Sequence, residues 1–445
     1  MISVKADREF LQKSLFEFLR IKFPDYVNHK EIKLTVDNVK NNWRVFLIKD
    51  ELSFDISFYF ESEREVHYEI KRRLFDYFVE QDLFFDKSYG ILSGVRPSKL
   101  ASKIFSKNSL EDSIKILKDK YRVPESDSRF LYKIYKKQNN IKSPFSKDNY
   151  NIYVNIPFCP SRCSYCSFDT AIYNKNLAKD YVDALLNEIK SYERKSNKAP
   201  HSIYIGGGTP SSLEVYELNK IIKLLLDKFG KAYEFTVECG RIDTLSVELL
   251  EMLRSNGVNR ISLNPQSFNE EVIKNLNRNS NADFKKWFDI AREIGFRVIN
   301  MDLILGLPGE DNESIISSIK KAIEIGPENI TLHTLALKNG SKLFEYGYEN
   351  KNDYDSLLKD TKILMEENLY EPYYMYRQKK TVMNSENIGY SRTGTQSIYN
   401  IAMMEEIENI IGFGSGASSK VLSDAGRFKR DINTKNLKEY INKRR

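Results

Sequence analysis

The sequence predicts an α/β chain: a partial (β/α)6 barrel, preceded by an N-terminal α+β module and followed by a small C-terminal region. Three observations carry this. From Asn149 onward, short apolar runs alternate with amphipathic stretches of helix length. Such β-α repetition implies parallel strands joined by right-handed crossovers. Six units fit, two short of a full (β/α)8 barrel. Polar and glycine-rich motifs follow the runs at their carboxyl ends, where barrels place their chemistry.

The six strand-like runs are NIYVNIP, SIYIGGG, EFTVECG, RISLNPQ, VINMDLILG and NITLHTLAL. Between them lie helical patterns such as AKDYVDALLNEIKSYE, VYELNKIIKLLLDKF, TLSVELLEMLRSN and ESIISSIKKAIEIG. Residues 149–340 therefore form the barrel. Residues 1–145 read as a separate module. FLQKSLFEFLRIKF places Phe10, Leu11, Leu15, Phe18, Leu19 and Phe23 near helical spacing. WRVFLIKD and LSFDISFYFES alternate and read as paired strands, and REVHYEIKRRLFDYFVEQ as a helix. Gly94 and Pro97 mark a turn before a further helix, and SPFSKDN reads as the linker. Residues 341–445 hold one more helix, DSLLKDTKILMEENL, then an aromatic, turn-rich segment and the glycine-rich IIGFGSGASSKV. This region is expected to cover the open side of the barrel.

Composition bounds the function. The chain has 445 residues, 41% hydrophobic and 29% charged, which suits a globular protein with a large core. No apolar run is long enough to span a membrane, and MISVKADREF has no apolar signal core, so a cytoplasmic location is expected. The net charge is +7, and residues 1–150 carry 29 Lys+Arg against 23 Asp+Glu, or +6 of it. No basic stripe stands out, which argues against nucleic acid. The excess is either a solvated basic surface or an attraction for an anionic substrate or partner. On the second reading, the N-terminal module binds substrate or docks a partner.

Four cysteines are present, and Cys159, Cys163 and Cys166 lie within eight residues. A secreted disulfide scaffold would spread them along the chain. They sit in the loop after the first barrel run, where three thiolates can fold around one centre. Thiolates hold iron–sulfur clusters, and three ligands leave one iron of a [4Fe–4S] cube open. A zinc site lacking a ligand is the alternative, but structural zinc wants four closed ligands. Cys239 is either a fourth ligand or a buried structural thiol.

Other strand ends carry candidates. Gly206-Gly207-Gly208-Thr209-Pro210 is either a simple turn or a place where backbone approaches a ligand closely. In EFTVECG, period 2 puts Thr236 and Glu238 on one face and Val237 and Cys239 on the other. Glu238 then faces the site or solvent. Asp302 is an acid in an otherwise apolar run, costly unless paired or used. His333 is either a satisfied structural residue or a part of the substrate mouth. Arg377 and Tyr390 are either structural or contacts for substrate carboxylates.

The motif Cys159-Pro-Ser-Arg-Cys163-Ser-Tyr-Cys166, opening a β-α repeat, resembles the radical S-adenosylmethionine (SAM) superfamily. The wider set YVNIPFCPSRCSYCSF, IYIGGGTPSSL, VECGRIDTL, RISLNPQSFN, MDLILGLPGE and IIGFGSGASSK resembles the oxygen-independent coproporphyrinogen III oxidase group. YGILSGVRP, VECGRIDT, HTLALK and YYMYRQK look most like its long HemZ-type branch, the coproporphyrinogen dehydrogenases. The resemblance spans nearly the whole chain and is strongest over residues 150–420.

It implies a TIM-like radical SAM barrel and two cofactors, a [4Fe–4S] cluster on Cys159, Cys163 and Cys166, and SAM. In that superfamily SAM chelates the open iron, and one electron cleaves it to methionine and a 5′-deoxyadenosyl radical. The implied SAM contacts are Tyr153, Phe168, Gly207, Gly208, Thr209, Glu238, Gln266, Arg278 and Asp302, with Tyr153 also counted as catalytic beside the three cysteines. The implied reaction is oxidative decarboxylation of coproporphyrinogen III to protoporphyrinogen IX in haem biosynthesis, with reduced ferredoxin or flavodoxin as electron donor and a monomeric enzyme. The chain departs from the group at Asn155, where His is usual and where an amide cannot titrate. A haem chaperone on the same scaffold, or another radical SAM enzyme acting on a tetrapyrrole, are the alternatives.

Overall fold

The computed structural model describes residues 2–23, 31–63, 65–83, 85–92, 96–141, 143–338, 340–348, 354–378, 381, 385–423 and 428–444. His29 and Gly94 lie outside them. The chain divides into two compact units, Met1–Lys136 and Lys137–Arg445.

The first unit opens with β1 (Ile2–Ala6), α1 (Glu9–Lys22), β2 (Ile32–Val39), β3 (Asn42–Lys49), β4 (Leu52–Tyr59) and α2 (Val66–Glu80). β1 pairs parallel with β2, and β2, β3 and β4 form an antiparallel meander. Lys40 and Asn41 both take positive φ (50° and 66°), as a two-residue hairpin turn between β2 and β3 requires. β3 alternates, turning Trp43, Val45 and Leu47 inward onto Leu15, Phe18 and Phe78 of the two helices. The helices α3 (Pro97–Phe105) and α4 (Leu110–Tyr121) follow, then α5 (Glu125–Asn139). The paired strands β3 and β4 and the helices α1 and α2 agree with the sequence reading. The strands β1 and β2 were not anticipated, although ISVKA and IKLTV alternate at period 2.

In the second unit six parallel strands stand in the predicted order: β5 (Tyr150–Ile156), β8 (Ser202–Gly207), β9 (Glu234–Glu238), β10 (Arg260–Ser262), β11 (Val298–Leu305) and β12 (Asn329–Thr334). Between β5 and β8 lie a two-residue parallel pair, β6 (Phe158–Cys159) with β7 (Ala171–Ile172), and α6 (Lys175–Ser191). The later crossovers are α7 (Val215–Phe229), α8 (Val247–Ser255), α9 (Glu270–Asn275) with α10 (Phe284–Glu293), and α11 (Asn312–Ile325). Side chains cap several of their N-termini: Asn174, Ser246, Asn269 and Asp311 each accept a backbone N–H. β11 is buried along most of its length, as a parallel strand covered on both faces should be.

Residues 341–445, expected over the barrel's open side, add strands to both edges of the sheet. After α12 (Lys342–Glu345) and α13 (Tyr354–Glu367), β13 (Glu371–Arg377) and β14 (Glu386–Ser391) lie beyond β12, with β14 antiparallel to it. Then α14 (Ile398–Glu405) leads to β15 (Asn409–Phe413), which pairs parallel with β5. β16 (Ser418–Leu422) and β17 (Phe428–Ile432) extend that edge, and α15 (Leu437–Arg444) packs on α6. The result is one eleven-stranded sheet with β13 and β17 at its ends. Among the described residues, no helix is long and apolar enough to cross a membrane.

Candidate functional site

The loop after β5 carries the three cysteines, and backbone bonds fix its shape. β6 and β7 clasp its two ends, Tyr173 N donating to Cys159 O at 2.9 Å and Cys166 N to Cys163 O at 3.1 Å. Its middle docks on the turn after α9: Ser164 N donates to Leu276 O (3.1 Å), Ser161 Oγ to Asn277 O (3.1 Å), and Asn277 Nδ2 to Arg162 O (3.0 Å). This docking is why Arg278, distant in sequence, reaches the loop.

A cavity of ≈ 320 Å³ opens at the carboxyl ends of the strands. Cys159, Cys163, Cys166, Phe168, Gly207, Gly208, Thr209, Glu238, Gln266, Arg278 and Asp302 all line it. Tyr153 does not. It lies lower on β5, its hydroxyl donating to Asn155 Oδ1 at 3.1 Å and its ring stacked 6.0 Å from that of Tyr399. Asn155 in turn donates to Ser415 O at 2.6 Å, so it ties β5 to the C-terminal segment. Cys239 is fully buried and does not line the cavity, and burial pushes its thiol up to about 12. It stands as a structural thiol. Among the described residues no three Cys, His, Asp or Glu side chains converge on a single metal ion. The three thiols border a larger volume, as ligands to separate irons of one cluster do. Arg241 Nη1 and Arg278 Nη1 lie 3.8 and 4.0 Å from Cys163 Sγ, so two cations border the thiols.

The glycines at the end of β8 serve packing within the chain first. A Cβ on Gly208 would stand 2.5 Å from Phe158 O and 3.0 Å from Cys159 Sγ. Gly207 has φ +115°, and a Cβ there would meet Asn155 Oδ1 at 2.1 Å. The absent side chains let this turn lie directly against the cysteine loop, with Thr209 Oγ1 3.5 Å from Cys159 Sγ.

Two carboxylates face the cavity in contrasting settings. Burial pushes Glu238 up to about 7, and nearby Asp302 raises it further, against hydrogen bonds from the Tyr204 hydroxyl and Gly207 N (3.3 Å). Burial also works against the charge on Asp302. There His333, Asn300 (2.8 Å) and Thr331 prevail and hold the carboxyl below its ordinary value. His333 Nε2 is 3.8 Å from Asp302 Oδ2, and its Nδ1 is 3.4 Å from Tyr376 Oη, to which Gln378 donates at 3.1 Å. His333 therefore lines the site, whereas Tyr390 is buried in the core and neither it nor Arg377 lines the cavity.

Gln266 carries two marks of a ligand site. Its φ is +65°, uncommon outside glycine, and its Oε1 is buried without a hydrogen-bond partner. An orphaned acceptor on the cavity wall suits a ligand hydroxyl or amine. Arg278 spans the wall from Gly240 O to Asn264 O.

Several residues escaped the sequence reading. Arg241 forks Asp243 (2.9 and 2.8 Å) while reaching Cys163, and Tyr204 holds Glu238. Tyr165, Asn264, Lys338 and Tyr376 also line the cavity. Arg241 lay within the quoted VECGRIDTL motif, a usable signal. The others also lie in quoted motifs, Tyr204 in IYIGGGTPSSL, Tyr165 in YVNIPFCPSRCSYCSF, Asn264 in RISLNPQSFN, Lys338 in HTLALK and Tyr376 in YYMYRQK, but nothing in those motifs singled them out.

The pattern of the Radical SAM superfamily matches residues 153–322. The chain is 34% identical over 371 residues to the oxygen-independent coproporphyrinogen-III oxidase-like protein HemZ of Bacillus subtilis, covering 80% of this chain and 74% of that one. It is 28% identical over 299 residues to the heme chaperone HemW of the same organism, covering 65% and 74%. Among solved structures it resembles coproporphyrinogen III oxidase (HemN) from Escherichia coli, a radical SAM enzyme, with TM-score 0.52, 25% identity, and 66% of this chain and 69% of that chain covered.

Proposed function

Since this chain belongs to the radical SAM superfamily, within its oxygen-independent coproporphyrinogen III oxidase group, we propose that it converts two propionates of coproporphyrinogen III to vinyls by oxidative decarboxylation in the cytoplasm. Its cofactors are a [4Fe–4S] cluster and SAM. When bound, they supply the radical that removes hydrogen from an unactivated carbon, a task no side chain here can perform. The observation that carries the proposal is one cavity in which three thiols, two carboxylates and a cationic rim meet.

On this reading, Cys159, Cys163 and Cys166 hold the cluster, with Arg241 and Arg278 balancing its charge. Glu238, Gln266 and Asp302 grip SAM from the strand ends, and the exposed face of Phe168 packs against it. Gly207, Gly208 and Thr209 keep that grip close to the cysteine loop. Tyr153 acts as a positioning residue through Asn155. Arg162 and Lys338, at the cavity rim, hold substrate carboxylates, and His333 with Tyr376 borders the substrate. A reduced ferredoxin or flavodoxin delivers the electron.

The test is an anaerobic reaction of reconstituted protein with reductant, SAM and coproporphyrinogen III. Substrate-dependent 5′-deoxyadenosine with stepwise loss of two carboxylates is expected. SAM cleavage without substrate conversion, together with tight haem binding, would replace this reading by the heme-chaperone one, which the similarity to HemW favours.

Glu238 gives a prediction with opposite signs. Its pKa in the folded protein, about 7, lies above the ordinary value. Its stabilising effect is therefore complete below the ordinary carboxylate range and is lost as pH rises through about 7. Glu238→Gln should raise the Tm of the cofactor-free protein at pH 8 and change it little at pH 5. The same variant should bind SAM roughly tenfold more weakly, through loss of a charged acceptor. Thermal melts at both pH values and SAM titration check the two halves separately.

A further inference from the structure

The end of the barrel opposite the thiols holds a second cavity, of ≈ 390 Å³, at the amino ends of β9, β10 and β11. Its charge is out of balance. Four cations line it: Lys231 in the turn before β9, Arg254 in the last turn of α8, Arg260 at the start of β10, and Arg297 just before β11. The carboxylate in the lining, Glu234, is already engaged. It accepts from Ser397 Oγ (3.0 Å), Ile398 N (3.0 Å) and Tyr399 N (3.1 Å).

Arg260 is 5% exposed and already held: its Nε is ion-paired with Glu234 Oε2 at 3.2 Å, and its Nη atoms donate to Asn329 Oδ1 and Thr395 O. Glu234 therefore offsets Arg260, and the excess positive charge rests on the other three cations. Lys231, Arg254 and Arg297 form no ion pair among the described residues. Glu251 and Glu293 border Arg254 on its other side, outside this cavity. A helix C-terminus accounts for one cation near α8. It does not account for four cationic side chains from separate segments around one space.

The rest of the lining indicates more than a bare ion. Tyr233 is 55% exposed, Ile141 and Ile398 are apolar, and the volume falls in the range of small-molecule sites. We propose that this cavity binds an organic phosphate of the mononucleotide class. The phosphate lies among Arg254, Arg297 and Lys231 with Arg260 behind it, and the base packs beside Tyr233. Arg forks match phosphate oxygens in pairs.

The test uses the reconstituted holoenzyme and three probes: adenosine monophosphate, inorganic pyrophosphate and adenosine. Calorimetric titration and thermal shift at low salt should show binding of the first two, weakening as salt rises, and none of adenosine. Saturating SAM should leave that binding unchanged, because SAM occupies the other end of the barrel. The double variant R254E/R297E should lose binding at least about tenfold while keeping cluster content and SAM cleavage. K231E/R297E, which alters only exposed positions, serves if the first variant folds poorly. Pyrophosphate binding without adenosine monophosphate binding would overturn the nucleotide class. The site itself would be overturned by no binding of either, by competition with SAM, or by unchanged affinity in both variants.

Discussion

Replacing Cys163 by alanine is expected to abolish iron loading and SAM cleavage while leaving a folded chain. Cys163 is the thiol nearest Arg241 and Arg278, and its loop is held by backbone bonds that do not involve its sulfur. The variant should therefore elute and melt as a compact protein. Its iron content after anaerobic reconstitution should fall to near background, and 5′-deoxyadenosine formation should drop by three orders of magnitude or more, since on the proposed function this substitution removes a cluster ligand and with it the chemistry. Cys239→Ala is the matched control. That thiol is fully buried and outside the cavity, so its loss should cost about 1 kcal/mol of stability and spare the cluster. A fully active Cys163→Ala protein would end the assignment of the loop as a cluster site, and a Cys239→Ala protein that fails to load iron would reinstate that thiol as a fourth ligand.

Gly207→Ala should be strongly damaging. At φ +115° an L residue carries strain of about 1–3 kcal/mol, and the added carbon would press on the Asn155 amide, which is itself tied to Tyr153 and Ser415. A fall in Tm of roughly 4–10 °C is expected, with SAM cleavage reduced far more than stability, because the displaced turn lies against Cys159. Adding Asn155→Ala to Gly207→Ala removes the closest collision but leaves the 3.0 Å approach to Ile156 O and the backbone strain, so rescue should be partial. Wild-type melting and turnover in the single variant would show that the turn has more freedom than the packing around it indicates.

The six β-α units were legible because each strand is a short apolar run buried on both faces, and each helix shows one apolar stripe. The strands at the sheet's edges were not. β14 is buried throughout yet contains Glu386, Asn387 and Ser391, and no alternation marks it. Asn387 is satisfied across strands, its Oδ1 accepting Thr334 N at 2.8 Å, and Glu386 is paired with Lys362 of α13. β13, EPYYMYR, read as an aromatic loop for the same reason. At the site, the cysteines, glycines and acids at strand ends carried a pattern, and the structure brings them into one cavity. What joins them was not readable. Tyr204 against Glu238, Arg241 against Cys163 and His333 against Asp302 are pairs made by neighbouring strands and loops, and no spacing along the chain encodes them. Tyr153 shows the converse: a residue inside the motif whose hydroxyl serves a neighbour within the barrel.

The pairing of β15 with β5 sets an order of assembly. Tyr150 through Val154 take Asn409 through Phe413 as their parallel partners, so a strand made early waits for one made late. Until then β5 is an exposed sheet edge at the root of the cysteine loop, and Asn155 lacks its Ser415 anchor. On a ribosome, the sheet beneath the cysteine loop therefore closes only when translation has passed the glycine-rich segment. If this loop holds the cluster as proposed, metal delivery is expected after synthesis, to a chain whose first and last parallel strands have already met.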